Sequence, residues 1–205
     1  MGNIKKFDRK FRLNENEVES SNEIENTVQT QKEEEAPAES GLVSPSKLPA
    51  NIEDTFNERI GDEYTAHYFY RNAANWCRNA NYKKATAFFE AEANSELDHA
   101  KGLQDYLTQW NLIPAIPAAP SNQKFEGLVD IINKAYKLEF ELFEKYSKDQ
   151  QAILAEHPAT FNFIQKYVDI QNDAVAEYSD LLNALQLVNI ESKLDVLVFE
   201  DKYFA

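Results

Sequence analysis

Between residue 51 and about residue 187, apolar side chains recur at intervals of three and four, the spacing that lines one face of an α-helix. Phe56, Ile60, Glu63, His67, Tyr70, Ala74 and Cys77 approximate a first stripe and predict a helix over 52–79. Phe88, Phe89, Glu92, Glu96, His99, Leu103 and Tyr106 predict a second over 82–111. Ile132, Tyr136, Glu139, Leu142, Phe143 and Tyr146 predict a third over 124–156, and Phe163, Tyr167, Gln171, Ala174, Tyr178 and Leu185 a fourth over 159–187. A short tail, 189–205, follows.

The connections fix how these helices run. Asn79-Ala80-Asn81 and Glu156-His157-Pro158 are long enough only for antiparallel returns. Between the second and third helices, residues 112–123 include Pro114, Pro117 and Pro120, which favour an extended course. At about 3.3 Å per residue such a segment reaches roughly 40 Å, the length of a ~28-residue helix at 1.5 Å rise. It can therefore join two parallel helices, and the expected fold is an all-α four-helix bundle running up, down, down, up.

Polar residues interrupt each stripe. Glu63, Glu96, His99, Glu139 and Gln171 stand at core-facing positions, spread over all four helices and at compatible heights in this topology. A buried, unpartnered carboxylate costs several kcal/mol, so such groups pair, protonate or bind a metal. No matching set of inward Lys or Arg is visible in the pattern, and a cation is the expected partner. Glu96 and His99 at i, i+3 share a face and can reach one point inside the bundle. Carboxylates with an imidazole suit iron, manganese or zinc better than magnesium or calcium. A carboxylate bridging two ions would make the centre dinuclear. Glu92, one turn before Glu96, reads as a surface acid or a ligand on the approach path, and His67 and His157 as surface or packing histidines.

Composition narrows the setting. The chain has 205 residues, 43% of them hydrophobic, enough for one substantial core, and only five glycines, which favours long helices over a turn-rich β architecture. A formal net charge of −14 argues against a nucleic-acid partner and is compatible with drawing in cations. A single cysteine, Cys77, excludes an internal disulfide and leans towards a reducing compartment. No apolar run approaches the ~20 residues that cross a bilayer, and no secretory signal is visible at the N-terminus. The expected location is cytoplasmic.

Residues 1–49 differ from the rest. They are rich in Glu, Asn and Ser, carry Glu33-Glu34-Glu35 and three prolines, and are expected to form a disordered acidic arm. Within the first thirteen residues, Lys5, Lys6, Arg9, Lys10 and Arg12 interleave with Ile4, Phe7, Phe11 and Leu13, which fits a docking peptide for a protein partner, an organellar address or a solvated tail.

Over about 51–188 the chain resembles the haem-free ferritins of bacterial and heavy-chain type. The resemblance lies in Asp62-Glu63-Tyr64 with Tyr70 and Asn75-Trp76-Cys77, in Glu96-Leu97-Asp98-His99 followed by Asp105-Tyr106-Leu107, in Tyr136-Lys137-Leu138-Glu139, and in Thr160-Phe161-Asn162-Phe163 leading to Tyr167-Val168 and Gln171. It implies a ferritin-like bundle with a di-iron ferroxidase centre. Glu63, Glu96 and His99 would hold one iron and Glu96, Glu139 and Gln171 the other, with Glu96 bridging. Tyr70, two turns after Glu63, would hydrogen-bond a ligand or donate an electron, or else serve as an ordinary core tyrosine.

The resemblance further implies Fe(II) oxidised by oxygen or hydrogen peroxide, ferric mineral deposited inside a homo-oligomeric cage, and a tail corresponding to a truncated fifth helix around 196–202. Haem is not implied, because Met1 is the only methionine. Ala174 stands where related di-iron enzymes carry the histidine of a second Glu-x-x-His, and Ser95 where many bacterial ferritins have a further acid. Two other functions remain open at this point: a ferritin-like structural protein that docks through its arm, and a di-iron oxidase or peroxidase.

Overall fold

A computed structural model describes residues 44–204, so the expected N-terminal arm lies, but for its last six residues, outside the described residues. Five helices follow in order: α1 (Ala50–Asn79), α2 (Lys83–Gln109), α3 (Leu128–Ile153), α4 (Pro158–Leu185) and α5 (Lys193–Tyr203), with no strand among the described residues.

Asparagine ends both α1 and α2. Asn81 and Asn111 take the left-handed backbone, φ 65° and 60°, which Asn tolerates better than most residues. After α1, Tyr82 N–H bonds the Cys77 carbonyl and Asn81 N–H the Arg78 carbonyl; after α2, Leu112 N–H bonds Leu107 and Asn111 N–H bonds Thr108. Both are Schellman closures, which satisfy the last carbonyls of a helix while reversing or redirecting the chain. α4 starts on His157, whose Nδ1 accepts Thr160 N–H, with Pro158 in the first turn, where its missing N–H is harmless. Gly127 opens α3, which begins later than the apolar pattern suggests; the stretch before it is held instead by side chains, such as Lys134 Nζ donating to the Lys124 carbonyl at 3.0 Å.

Paired residues give the directions. Phe56 packs on Tyr106 and Arg78 pairs with Glu90, so α1 and α2 are antiparallel. Tyr146 stacks on Tyr167, and Gln150 bonds Gln165, so α3 and α4 are antiparallel. Tyr70 bonds Glu139 while Tyr146 bonds Glu63, so α1 and α3 are antiparallel too. The bundle therefore runs up, down, down, up, and the crossover between α2 and α3 traverses it, tied to α1 by Ala115 N–H on Asn57 Oδ1 at 2.7 Å.

The core is split by height. One apolar cluster gathers Ile52, Phe56 and Ile60 of α1 with Leu103 and Tyr106 of α2, Tyr146 and Ile153 of α3, and Ile164 and Tyr167 of α4. The other takes Ala66, Phe69, Tyr70 and Ala73 of α1, Phe89 and Ala93 of α2, Ile131, Ile132 and Ala135 of α3, and Tyr178 and Leu181 of α4. Between them each of α1 to α4 contributes a buried polar residue: Glu63, Glu96, Glu139 and Gln171.

α5, the helical part of the tail, covers the end of the second cluster. Phe199 and Phe204 are buried there, and the Glu200 carboxylate accepts the free N–H groups of Lys84 and Ala85 at 2.6 and 2.9 Å. A carboxylate at that position satisfies otherwise orphaned donors and complements the positive end of the α2 dipole.

Candidate metal centre

Helical spacing delivers the polar layer. Glu63 follows Ile60 and Phe56 by one and two turns on the buried face of α1, and Glu96 follows Ala93 and Phe89 on α2. The side chains thus enter the core because the apolar stripe carries them there. Glu63 and Glu139 are fully buried, Gln171 and Glu96 nearly so, and His99 is half-buried with its side chain 16% exposed.

Glu63, Glu96 and His99 converge. One ligand atom from each lies within 4.8 Å of the others. His99 Nδ1 sits 3.0 Å from Glu96 Oε2 and 3.6 Å from Glu63 Oε2. Glu139 borders the same group: its charge acts on Glu96, and Glu63 and His99 act on it in turn. Gln171 is buried in the same layer on α4, with no direct bond to the other four.

Each outer carboxylate is held by a tyrosine from the opposite helix. Tyr70 of α1 donates to Glu139 Oε1, and Tyr146 of α3 donates to Glu63 Oε1. The second oxygens, Glu63 Oε2 and Glu139 Oε2, have no hydrogen-bond partner, nor has either amide atom of Gln171. Native interiors rarely leave so many buried polar atoms unpaired in one layer. Unsatisfied carboxylate and amide atoms beside an imidazole are the donor set of a hard to borderline cation. Their fit to iron rests on these orphaned atoms.

The charges show how the layer is held without a cation. Burial raises Glu96 well above the usual carboxylate range, against the His99 bond and with the charges of Glu63 and Glu139. Burial likewise pushes Glu139 up to about 8, although the Tyr70 bond opposes it. Burial alone favours the neutral ring at His99, but the neighbouring carboxylates of Glu63 and Glu96 outweigh that and push it up to about 10. A proton on His99 occupies the place a metal ion would take, and it must leave for the imidazole to become a ligand.

The sign of the pH effect follows. Glu139 binds its proton more tightly folded than unfolded, so the stability it contributes is fully present below the unfolded value, about 4.3, and is lost as pH rises through about 8. Metal-free protein should show a falling denaturant midpoint from about pH 5 to about pH 8. Glu139→Gln should flatten that slope; an unchanged slope would place its origin elsewhere.

Sequence reasoning missed three neighbours. Tyr146 carries the Glu63 bond, and its signal was present: Glu63 and Tyr70, like Glu139 and Tyr146, stand seven residues apart, two helical turns on one face. Tyr178 is fully buried, stacks on Tyr70 with centroids 6.1 Å apart, and its hydroxyl is unpartnered. Arg59 corrects the expectation of no inward cation. It is buried one turn below Glu63, yet it pairs with Asp62 and Asp149 at 2.8 and 3.2 Å and with Glu58, leaving the cluster uncompensated. Glu92 is half-buried and pushed up to about 7, by burial first and then by Glu177.

Comparison with known proteins points the same way. A family model described as a ferritin-like domain matches residues 53–188. The bacterial non-heme ferritin of Campylobacter jejuni is 28% identical over 148 residues, covering 69% of this chain and 86% of the relative. That of Escherichia coli O6:H1 is 27% identical over 143 residues, covering 68% and 86%. Among solved structures, an open pore ferritin from the archaeon Archaeoglobus fulgidus shares the fold with a TM-score of 0.71 at 19% identity, over 77% of this chain and 98% of that one. A PmFTN variant soaked in iron gives 0.69 at 20% identity, over 75% and 99%.

Proposed function

The chain belongs to the ferritin family, and from that premise we propose that it stores and detoxifies iron by oxidising Fe(II) at the buried polar layer. The observation that carries this reading is the convergence of Glu63, Glu96 and His99 beside the orphaned oxygens of Glu139 and Gln171. Glu63, Glu96 and His99 would bind one Fe(II), Glu96, Glu139 and Gln171 a second, with Glu96 shared between them. Two Fe(II) ions give up one electron each, so a pair reduces dioxygen to hydrogen peroxide, or hydrogen peroxide to water, with two protons consumed in either case.

The protein's share of the work is positional. Tyr70 and Tyr146 fix the outer carboxylates from opposite helices, so that the remaining oxygens need not reorganise when an ion arrives. Displacement of the His99 proton links uptake to pH, with tighter binding as pH rises. Fe(III) would then leave the layer for mineral inside a homo-oligomeric shell, and the single Cys77 fits a reducing, cytoplasmic setting. No helix of the described residues is long and apolar enough to cross a membrane. Ala174, half-buried one turn after Gln171, provides no second histidine and disfavours a di-iron oxygenase.

The test is Fe(II) oxidation under air by the purified full chain, followed through the ferric absorbance, beside the double variant Glu96→Ala, His99→Ala. Loss of the fast phase, to the rate of Fe(II) in buffer alone, is expected. Equal rates in both proteins would overturn the reading.

A further inference from the structure

Two aromatic stacks leave the polar layer, and they differ in where a tyrosine along them can send its proton. From Tyr70 the first passes to Tyr178 at 6.1 Å, and then through Phe88, Phe204 and Phe199 to the exposed Tyr203. The Tyr178 hydroxyl has no partner, so a proton released there has nowhere to go. Tyr70 has an acceptor in Glu139, but the branch is interrupted at Tyr178, because a phenol is oxidised readily only as its proton departs.

The second begins at Tyr146, whose O–H already points at a proton acceptor, Glu63. Tyr146 stacks on Tyr167 with centroids 5.3 Å apart and planes 17° from parallel. Tyr167 meets Phe163 at 5.5 Å, Phe163 stacks on Tyr106 at 3.8 Å, and Tyr106 meets Trp110 at 6.4 Å. Trp110 is half-buried at the end of α2, with His157 against it at 5.0 Å.

Tyr106 also has a proton exit with a fixed direction. His157 Nδ1 accepts Thr160 N–H, which makes that nitrogen an acceptor, and the Thr160 hydroxyl donates to it at 2.7 Å. With its own proton committed, Thr160 Oγ1 accepts from the Tyr106 hydroxyl at 2.8 Å. A proton leaving Tyr106 can thus shift along two bonds to a half-buried imidazole. Lys166 Nζ lies 4.0 Å from the Phe163 centroid and 4.9 Å from that of Tyr167, a positive charge that disfavours an electron vacancy in the middle of the path and leaves it to the two ends.

We propose that Tyr146, Tyr167, Phe163, Tyr106 and Trp110 form an electron relay through which an unspent oxidising equivalent at the iron layer is drawn to the protein surface. The relay rests on the iron-oxidation reading. Its occasion is hydrogen peroxide meeting a single Fe(II). The peroxide takes two electrons and two protons to become two waters, but one Fe(II) gives only one electron. Tyr146 gives the second and passes its phenol proton to Glu63, which holds it; both protons taken up by the peroxide come from solvent.

An electron from Tyr106 then restores Tyr146, which takes its proton back from Glu63. Tyr106 sends its own proton through Thr160 to His157. Trp110 next reduces Tyr106, the proton returns from His157, and the indole N–H proton passes to water. The Trp110 radical is finally quenched by one electron and one proton from a small surface reductant such as a thiol. Oxidation that would otherwise damage the buried ligands is discharged at a replaceable donor.

The full chain is loaded with one Fe(II) per chain, treated with hydrogen peroxide without added reductant, digested, and read by mass spectrometry for oxygen added at Trp110. Trp110 should be the dominant oxidised residue. Tyr106→Phe keeps the stack but removes the redox group, and Thr160→Val keeps every ring but removes the proton exit. Each should lower the Trp110 adduct severalfold, while Fe(II) oxidation stays at the unsubstituted rate. Adduct at Trp110 undiminished in both variants would mean diffusing oxidants and would overturn the relay. Iron oxidised with Trp110 untouched would also overturn it, and leave the ferroxidase reading standing; absence of iron oxidation in the unsubstituted chain would overturn both.

Discussion

Replacing Glu139 by leucine together with Tyr70 by phenylalanine should raise the melting temperature of the metal-free protein and reduce the further rise that a divalent ion produces, leaving only the share held by Glu63, Glu96 and His99. The two residues are buried partners, and removing both leaves neither an unpaired hydroxyl nor an uncompensated acid. Glu139 sits where burial resists its charge, with one oxygen unsatisfied. Exchanging buried ionisable groups for apolar ones of similar size is often stabilising by about 1–4 kcal/mol. Each kcal/mol shifts the midpoint of a chain this size by about 2–4 °C.

On the proposed reading, the compensation in the unsubstituted protein is the ion. An ion present at 100 times its dissociation constant stabilises by about 2.7 kcal/mol. The double variant should therefore begin higher and gain less. Scanning calorimetry with and without Fe(II) under anaerobic conditions separates the two effects. A lower midpoint in the metal-free variant would show that the Glu139–Tyr70 pair stabilises the fold by itself, and would remove the argument that this layer is kept for binding.

The site was legible in the sequence to the extent that helical period governs it. Glu63, Glu96, Glu139 and Gln171 lie on apolar stripes, and a stripe marks burial whatever partner is on the other side. The crossover was legible because three prolines forbid a helix there and its length matches the bundle. Partners across the bundle were not. That Tyr146 of α3 reaches Glu63 of α1 depends on the relative height of two helices separated by the crossover, which no local pattern fixes. Thr160 and His157 look like cap residues for the same reason, and His157 does cap α4; its second neighbour, through Thr160, is a tyrosine 54 residues from that threonine in the chain.

Arg59 was overlooked because it reads as the last of three polar residues, Asn57-Glu58-Arg59, between Phe56 and Ile60, and most such arginines extend to water. Here its guanidinium joins α1 to α3, with Asp149 half-buried against it and Asp62 shared with Lys145. Burial pushes the Asp149 acid up and the Arg59 charge opposes that, which shows the carboxylate depending on its partner. Arg59→Ala should cost about 3–5 kcal/mol, the range for breaking a buried pair and stranding one charge. Arg59→Leu combined with Asp149→Leu should recover most of that loss, since both charges then leave together.

Denaturant midpoints of the single and double variants measure the coupling directly. If Arg59→Ala costs no more than an exposed pair, ~1 kcal/mol or less, the guanidinium is not what joins the two helices. The pair also sits one turn from Glu63 on α1 and one turn from Tyr146 on α3, so it sets the height at which the Tyr146 hydroxyl meets the Glu63 carboxylate. The double variant, folded but without that clamp, should bind Fe(II) more weakly than its stability alone would suggest, because the register of the two helices is then held only by apolar packing.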